Sequence, residues 1–380
     1  MKIKCIFCMF LAVLIIVPNI AYAEDNSLSL TAKSALLMES ETGEILYEYN
    51  AHEKLPMASV TKVMTMLLAM EAVDKGSLKF TDMITGSAHA KSMGGSTIFL
   101  DEGESLSLSD MLKGIAVSSG NDAAVAVAEH IGGSEENFVN MMNEKAKALG
   151  MENTHFVNCN GLDADNHYST AYDIALMSRE LMKHEDIFKF TTIWQDTLRD
   201  GKFTLSNTNK LVRFYDGATG LKTGSTDKAK FCISATAKRD NMHLIAVIMA
   251  SPSSKERNRD ASNLLNYGFS NYGKLSILSK GEKVKTVPVE KGIMPCVDIV
   301  SKEDFNYIYK KSDVPQIKKE IFIKNQPSAP VKKNSEAGTI TIYDNGKEIA
   351  KIPGVYKNTV NKTAPHRMFV KMLKVVYTKQ

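Results

Sequence analysis

The sequence predicts an α+β fold followed by a small all-β domain. Strand patterns occur near both ends of the first segment, at residues 34–49 and 220–250, and the patterns between them are mostly helical. Strands from both ends of a segment complete one sheet when the intervening helices cover its faces. Beyond Gly273 the composition changes to short strand-like runs separated by Gly, Pro and Lys. Because 380 residues suffice for two domains, we place them at residues 24–272 and 275–360.

The first 23 residues predict a secretory signal peptide. Lys2 and Lys4 precede an apolar run at residues 5–17, and the Ala-Tyr-Ala sequence at residues 21–23 matches a cleavage site. The apolar run is short for a helix that crosses a bilayer. We therefore expect a secreted protein from which residues 1–23 are removed, with a retained anchor as the alternative.

Composition and charge predict a globular protein that binds neither nucleic acid nor metal. Hydrophobic residues make up 44% of the chain and charged residues 24%, and the formal net charge of +4 comes from scattered basic residues. Cys159, Cys232 and Cys296 follow the predicted signal peptide in no zinc or redox pattern, so we expect buried apolar thiols. The chain contains neither a His-Glu-x-x-His metal motif nor the Gly-x-Ser-x-Gly turn of α/β-hydrolases.

Each element of the first domain has a local signal. Residues 34–38 and 44–49 read as two strands of a hairpin, and the unbroken apolar run at residues 63–70, after Pro56, predicts a buried helix. Further helices are predicted at residues 108–117, at 122–130 before Gly132-Gly133, between Ser134 and Gly150, and after Thr170. Strands are predicted at residues 220–224, 231–237 and 244–250, and a last helix at residues 254–267, ending at Gly268.

The second domain and the C-terminal tail have different patterns. Strand-like runs at residues 283–289 and 317–323 precede a strong hairpin signal, Asp-Asn-Gly at residues 344–346 between two further runs. Drawn as a helix, residues 366–380 place Arg367, Lys371, Lys374 and Thr378 on one face and Phe369, Met372, Leu373 and Val376 on the other. A basic amphipathic helix of this kind lies in a membrane interface. Docking of the helix on the second domain is the alternative.

A Ser-x-x-Lys pattern at the start of the predicted buried helix gives the first candidate catalytic pair. Ser59 and Lys62 are three residues apart, which places them on one face of that helix. A serine nucleophile needs an activating base, and burial lowers the pKa of a lysine toward the range in which it is one. The helix N-terminus favours the developing alkoxide. The pattern alone is weak, because Ser225 and Lys228 form it again, and a capping serine beside a surface lysine is the ordinary interpretation.

Two more motifs follow in the chain. Ser-Gly-Asn at residues 119–121 is the only Ser-x-Asn sequence, and it lies between two predicted helices. Lys-Thr-Gly at residues 222–224 occurs once, at the end of a short predicted strand. Separately, these are a capping turn and a basic residue on an edge strand. Together with Ser-x-x-Lys, in this order, they form the motif set of serine acyltransferases that recognise penicillin.

The motif residues divide the chemistry between them. Ser59 attacks a carbonyl, Lys62 takes its proton, and Ser119 relays a proton between Lys62 and the leaving amine. Asn121 holds Lys62 and a substrate amide with its two-sided side chain. Lys222 supplies a fixed cation near a substrate carboxylate, and we expect its field to lower the pKa of Lys62.

The residues after Lys222 are assigned to substrate binding. Thr223 adds a hydroxyl for the substrate carboxylate, and Gly224 lacks a side chain so that a peptide can approach the strand edge. Backbone N–H groups near Ser59 and Ser225 form the oxyanion hole.

With these motifs the chain resembles the low-molecular-mass penicillin-binding proteins that are serine-type D-alanyl-D-alanine carboxypeptidases. The similarity runs from about residue 34 to 272 and includes residues 158–163 and 206–211. The resemblance implies a β-lactamase/transpeptidase-like catalytic domain and removal of the terminal D-Ala from peptidoglycan pentapeptide stems through an acyl-enzyme on Ser59. It also implies covalent inhibition by β-lactams and no metal or cofactor. The second domain and the tail also match the family's usual layout, more loosely. From the amphipathic tail we expect peripheral attachment to the outer face of the cytoplasmic membrane.

The chain departs from the family's usual pattern at Asn160 and Ser225, where many members carry His. We expect both departures to affect substrate choice or deacylation. A DD-endopeptidase or transpeptidase with the same acyl-enzyme remains an alternative, as does a non-enzymatic penicillin-binding sensor. A β-lactamase is favoured less, because no Glu-x-x-Leu-Asn box lies between Asn121 and Lys222.

Overall fold

The structure is a computed structural model that describes residues 28–323 and 325–364. The predicted signal peptide (residues 1–23) and the predicted tail helix (residues 366–380) lie outside the described residues. No helix within the described residues combines the length and the apolar character needed to span a membrane.

The first segment has the predicted order of strands, buried helix, mostly helical insertion, strands and terminal helix, but two short strand pairs, at residues 83–107 and 195–206, were not predicted. The strands are β1 Ser34–Glu39, β2 Ile45–Tyr49, β3 Met83–Thr85, β4 Ser105–Ser107, β5 Gln195–Leu198, β6 Phe203–Ser206, β7 Ala218–Thr226, β8 Lys230–Arg239, β9 Met242–Ser251, β10 Tyr272–Leu278, β11 Lys283–Pro288, β12 Cys296–Ser301, β13 Phe305–Lys310, β14 Ile317–Ile323, β15 Glu336–Asp344 and β16 Lys347–Tyr356. The helices are α1 Lys62–Asp74, α2 Ala88–Lys91, α3 Leu108–Val117, α4 Asn121–Gly132, α5 Glu135–Ala148, α6 Ala171–Leu181, α7 Phe188–Thr191, α8 Leu211–Phe214 and α9 Ser254–Asn271, with 3₁₀ turns at Ala58–Thr61 and Glu185–Ile187.

The central sheet has five antiparallel strands in the order β2-β1-β9-β8-β7. β1 pairs along its whole length with β9, so strands from both ends of the first segment complete one sheet, as predicted. Helices cover both faces: α9 packs on the face that carries Leu37 and Leu244, and Ser178 of α6 bonds Ser234 on the opposite face. β7 forms one edge of this sheet.

The local helix signals are confirmed where side chains cap the helices. Ser134 and Thr170 each accept a hydrogen bond from the backbone N–H three residues on, at the starts of α5 and α6. In α1, every residue from Lys62 to Met70 is buried, as an apolar run in a core helix predicts.

The predicted end of the last helix is wrong. We predicted that the helix stops at Gly268, but α9 continues to Asn271. A Cβ atom at Gly268 would lie 2.6 Å from Leu244 Cδ1 and 2.8 Å from Leu37 Cδ2. The glycine therefore lets the helix approach the sheet and does not end it. The strand predicted at residues 220–224 is also longer than predicted: β7 pairs with β8 from Ala218 to Thr226.

The C-terminal part of the described chain is all-β, as predicted. A five-stranded sheet of order β11-β12-β16-β15-β14 contains the predicted hairpin, in which Asn345 and Gly346 both have positive φ, 47° and 80°. Lys274, in β10, forms a salt bridge of 3.1 Å with the buried Glu39 of β1. The boundary between residues 272 and 275 remains a prediction. Cys159 and Cys232 are buried as expected, whereas Cys296 is exposed at the start of β12.

Candidate active site

Ser59 and Lys62 meet where the 3₁₀ turn enters α1. We predicted Ser59 in the first turn of the α-helix, but it lies in the 3₁₀ turn that precedes it. Lys62 is the first residue of α1. The Nζ atom of Lys62 lies 2.9 Å from Ser59 Oγ, and the lysine side chain is completely buried. The Ser-x-x-Lys spacing therefore places an amine beside a hydroxyl in a site from which water is excluded on the lysine side.

Lys62 Nζ has two further partners, and both are carbonyl oxygens. It lies 2.6 Å from Asn121 Oδ1 and 2.6 Å from the backbone oxygen of Asn160. A carbonyl oxygen can only accept, so these two contacts fix two N–H groups of Lys62. The remaining tetrahedral position faces Ser59 Oγ, and in the neutral amine this position is the lone pair. The geometry thus directs a base at the serine hydroxyl.

Burial lowers the pKa of Lys62 to about 7, against the smaller opposing effects of Cys159 and Asp122. We predicted that the field of Lys222 would lower this pKa; burial is the main cause, and the repulsion between the two cations is seen at Lys222. The pKa of Lys222 itself falls well below its usual value, first because the side chain is buried and then because Lys62 and Arg257 lie close to it. The role of Lys222 as a cation for a substrate carboxylate stays a prediction.

The Ser-Gly-Asn motif joins α3 to α4. Ser119 is nearly buried, has a positive φ of 65°, and lines the same cleft as Ser59. Asn121 begins α4 and uses both ends of its amide: Oδ1 accepts from Lys62 and Nδ2 donates to Gly94 O at 2.7 Å. The backbone turn therefore presents the serine to the cleft and the asparagine to the lysine.

The Lys-Thr-Gly motif lies on β7, at the sheet edge next to the 3₁₀ turn. Thr223 and Ser225 line the cleft, and the Thr223 hydroxyl lies 2.7 Å from the Thr208 hydroxyl. A Cβ atom at Gly224 would lie 2.8 Å from Met57 O and 2.8 Å from Ser59 N. Gly224 therefore makes room for the protein's own backbone and also lines the cleft, and its role in the approach of a substrate peptide stays a prediction.

The cleft has a volume of about 500 Å³ and includes a cation that sequence reasoning missed. Arg257, in the first turn of α9, lines the cleft but is only 5% exposed. Burial lowers its pKa to about 10, so the guanidinium stays charged at neutral pH. Its hydrogen bonds go to Asn258 Oδ1, and no salt bridge joins it to a carboxylate in the described chain. No sequence motif marks Arg257, because only the fold brings the start of α9 to the cleft.

The remaining cleft residues add positive charge. Lys210 and Lys255 line the cleft with Arg257, and the described lining contains no Asp or Glu. Within residues 28–323 and 325–364, no cluster of His, Cys, Asp and Glu side chains has the make-up of a metal site. The electrostatics of the cleft suit an anionic ligand.

Comparisons with known proteins agree with this arrangement. A family model described as D-alanyl-D-alanine carboxypeptidase matches residues 21–253, and one described as penicillin-binding protein 5, C-terminal domain, matches residues 272–362. The D-alanyl-D-alanine carboxypeptidase DacF of Bacillus subtilis is 47% identical over 341 residues, 89% of this chain and 88% of that protein. DacD of Escherichia coli is 35% identical over 339 residues, covering 87% of each chain.

A solved structure of penicillin-binding protein 5 from Haemophilus influenzae superposes with a TM-score of 0.77 at 31% identity. The match covers 88% of this chain and 99% of that one. The predicted β-lactamase/transpeptidase-like domain followed by an all-β domain is confirmed by this match. The chain belongs to the D-alanyl-D-alanine carboxypeptidase family.

Proposed function

We propose that this member of the carboxypeptidase family removes the terminal D-Ala from peptidoglycan stem peptides through an acyl-enzyme on Ser59. One observation carries the proposal: a buried amine with a pKa of about 7 lies 2.9 Å from the Ser59 hydroxyl, oriented by two carbonyl oxygens. β-Lactams acylate the same serine and act as covalent inhibitors.

Acylation begins when neutral Lys62 takes the Ser59 proton. Ser59 Oγ then bonds to the carbonyl carbon of the penultimate D-Ala, and the backbone N–H groups of Ser59 and Ser225 stabilise the oxyanion. When the intermediate collapses, the C–N bond breaks and the proton passes from Lys62 through the Ser119 hydroxyl to the leaving nitrogen. The terminal D-Ala leaves as the free amino acid.

Deacylation repeats the same steps with water. A water molecule gives its proton to Lys62, and its oxygen attacks the ester carbonyl. Ser59 Oγ then leaves with the proton returned from Lys62, and the shortened stem peptide is released. Asn160 departs from the family's usual His, but its contact with Lys62 is made by the backbone oxygen, so the change of side chain leaves that contact intact.

We propose that the substrate lies along β7 as an added strand. β7 is the sheet edge, and its residues 223–225 line the cleft. An edge strand presents unpaired backbone groups to an extended peptide. The C-terminal carboxylate of the substrate then contacts the Thr223 hydroxyl and the guanidinium of Arg257. Arg257 is a buried cation, and the substrate carboxylate would supply its ion-pair partner.

Arg257→Gln is expected to lower kcat/KM for D-Ala release by about 10- to 100-fold. This estimate follows because a hydrogen bond to a charged group typically contributes about 1.5–3 kcal/mol. The control is Arg259→Gln, two residues further along α9, whose exposed side chain pairs with Asp260. A peptide with an amidated C-terminus tests the contact itself. Wild type should be less active on the amide than on the acid peptide. Arg257→Gln, which already lacks the contact, should be equally active on both peptides. An equal loss on acid and amide peptides contradicts the assignment.

The acylation rate is expected to rise with pH through about 7. Only neutral Lys62 accepts the Ser59 proton, so the rate should increase about tenfold per pH unit below the pKa and level off above it. The measurement is the second-order rate constant for acylation by a penicillin between about pH 5 and pH 9. A rate constant that is flat from pH 5 to 7 excludes Lys62 as the base.

D-Ala release from a peptide that ends in D-Ala-D-Ala tests the reaction. Wild type and Ser225→Ala should release D-Ala, and Ser59→Ala should release none. A wild-type protein that is acylated by a penicillin but releases no D-Ala from the peptide would contradict a carboxypeptidase.

We propose further that the mature chain acts outside the cytoplasmic membrane and rests on its outer face through residues 366–380. The basic and apolar faces of that segment support this placement. Deletion of residues 366–380 is expected to move the protein into the soluble fraction. Replacing Phe369, Met372 and Val376 by Ser, at constant length and charge, should do the same. Unchanged pelleting with membranes contradicts the proposal.

A further inference from the structure

The residue before the proposed nucleophile has a strained backbone. Ala58 is buried and has a φ of +49°, in the left-handed region. A residue with a Cβ atom loses about 1–2 kcal/mol there. Such a conformation persists only when the surroundings hold it. The contacts around Ala58 therefore identify what holds the start of the active-site turn.

Two glycines enclose the peptide unit that joins Ala58 to Ser59. A Cβ atom at Gly161 would lie 2.0 Å from Ala58 O and 2.8 Å from Ser59 N. A Cβ atom at Gly224 would also lie 2.8 Å from Ser59 N. The backbones of Gly161 and Gly224 therefore both contact this peptide unit closely, which is possible because neither residue has a Cβ atom.

A chain of hydrogen bonds ends on the carbonyl of the same peptide unit. The Thr61 hydroxyl donates to Ala58 O at 2.8 Å, and its oxygen lies 2.8 Å from Nε2 of the buried His167. The backbone N–H of Val157 donates to His167 Nδ1 at 3.0 Å. Because an N–H group can only donate, Nδ1 carries no proton and Nε2 carries the proton of the neutral ring. Every bond therefore points the same way, from Val157 through His167 and Thr61 to Ala58.

We infer that Thr61 and His167 are positioning residues that aim the Ser59 N–H into the oxyanion hole. In a planar trans peptide the C=O and N–H groups point in opposite directions, so a bond that fixes Ala58 O also fixes the direction of the Ser59 N–H. A donor on the carbonyl also polarises the peptide unit and strengthens its N–H as a donor. The inference rests on the proposed function, in which the Ser59 N–H stabilises the oxyanion.

The imidazole is suited to this task because it stays neutral. Burial, and to a smaller extent His155, lowers the pKa of His167 to about 4, so the ring keeps its single Nε2 proton at neutral pH. The ring packs edge-on against Phe156, with 6.0 Å between centroids. The donor thus has a fixed tautomer and a fixed orientation.

Thr61→Val and Thr61→Ser separate the hydroxyl from the volume of the side chain. Valine keeps the shape and loses the hydrogen bonds, whereas serine keeps the hydroxyl. We expect the acylation rate constant of Thr61→Val to fall about tenfold, less than the roughly 10²- to 10³-fold lost when an oxyanion-hole donor is removed outright. The dissociation constant of the initial penicillin complex should stay the same. Thr61→Ser should acylate like wild type.

Infrared difference spectra of the acyl-enzyme give a readout that a purely structural role would not change. Hydrogen bonds from the oxyanion hole lower the stretching frequency of the ester carbonyl. The band should therefore move to higher frequency in Thr61→Val and stay in place in Thr61→Ser. His167→Phe, which removes both ring nitrogens and keeps a ring, should move it in the same direction.

Three results would overturn the inference: an unchanged rate and band in Thr61→Val, equal losses in Thr61→Ser and Thr61→Val, or an unchanged band in His167→Phe. If wild type forms no adduct on Ser59, the proposed function fails instead. The two failures are therefore distinguishable.

Discussion

Lys62→Met is expected to lower the rate of Ser59 acylation by about 10³-fold, within the roughly 10²- to 10⁴-fold that a positioned general base contributes. A serine hydroxyl is a weak nucleophile without such a base. Methionine has nearly the length of the lysine stem, so the apolar packing around α1 is retained. Asn121 Oδ1 and Asn160 O lose their donor, which destabilises the fold by about 1–3 kcal/mol for each buried group left unsatisfied.

The measurement is stopped-flow acylation by a chromogenic β-lactam, with thermal unfolding as the test of folding. The chain offers its own matched control in the second Ser-x-x-Lys pattern. Lys228 is 62% exposed and lies 3.6 Å from Asp165, so Lys228→Met should acylate like wild type. A folded Lys62→Met protein that acylates within about threefold of wild type would remove Lys62 from the mechanism, since a general base contributes far more.

Gly161→Ala is expected to lower the free energy of unfolding by about 3 kcal/mol and to slow acylation by about 100-fold. The new Cβ atom would lie 2.0 Å from Ala58 O, and the backbone at Gly161 has a φ of +88°. Since Ala58 O belongs to the peptide unit that carries the Ser59 N–H, the displacement reaches the oxyanion hole directly.

Gly150→Ala is the matched control for Gly161→Ala. Gly150 has a similar φ of +74°, but a Cβ atom there would have no neighbour within 4 Å. In this variant the free energy of unfolding should fall only by the cost of a left-handed backbone conformation, about 1 kcal/mol, and acylation should be normal. Urea unfolding and acylation rates are measured for both variants. Equal losses of stability would show that φ alone matters and that the contact with Ala58 does not.

The elements that the sequence predicted well are those with local causes. The capped starts of α5 and α6 depend on Ser134 and Thr170 themselves, and the β15–β16 turn depends on Asn345 and Gly346. The predicted end of α9 is wrong because a glycine near the end of a helical pattern resembles a helix stop. Gly268 is needed there because its neighbours in the fold, Leu37 and Leu244, leave no room for a Cβ atom.

The same distinction holds in the active site. Three motifs indicated its side chains, and the fold brings Asn121 to Lys62 and places Ser119 and Thr223 in one cleft with Ser59. Backbone atoms left no signal: no motif marks the Asn160 oxygen as a partner of Lys62.

Two further groups, Arg257 and His167, reach the site only through tertiary packing of α9 and of the loop before α6. Sequence patterns describe neighbours along the chain. Thr61 and His167 are 106 positions apart, and Arg257 lies far beyond the spacing of any local pattern from the Thr223 that shares its cleft.

Intact-mass spectrometry of the mature chain, residues 24–380, with and without a penicillin tests the central claim most directly. Wild type and Ser225→Ala should each gain the mass of one penicillin, and peptide mapping should place it on Ser59. Ser59→Ala should gain none. An adduct that persists in Ser59→Ala, or no adduct on the wild-type protein, would contradict the assignment of Ser59 as the nucleophile.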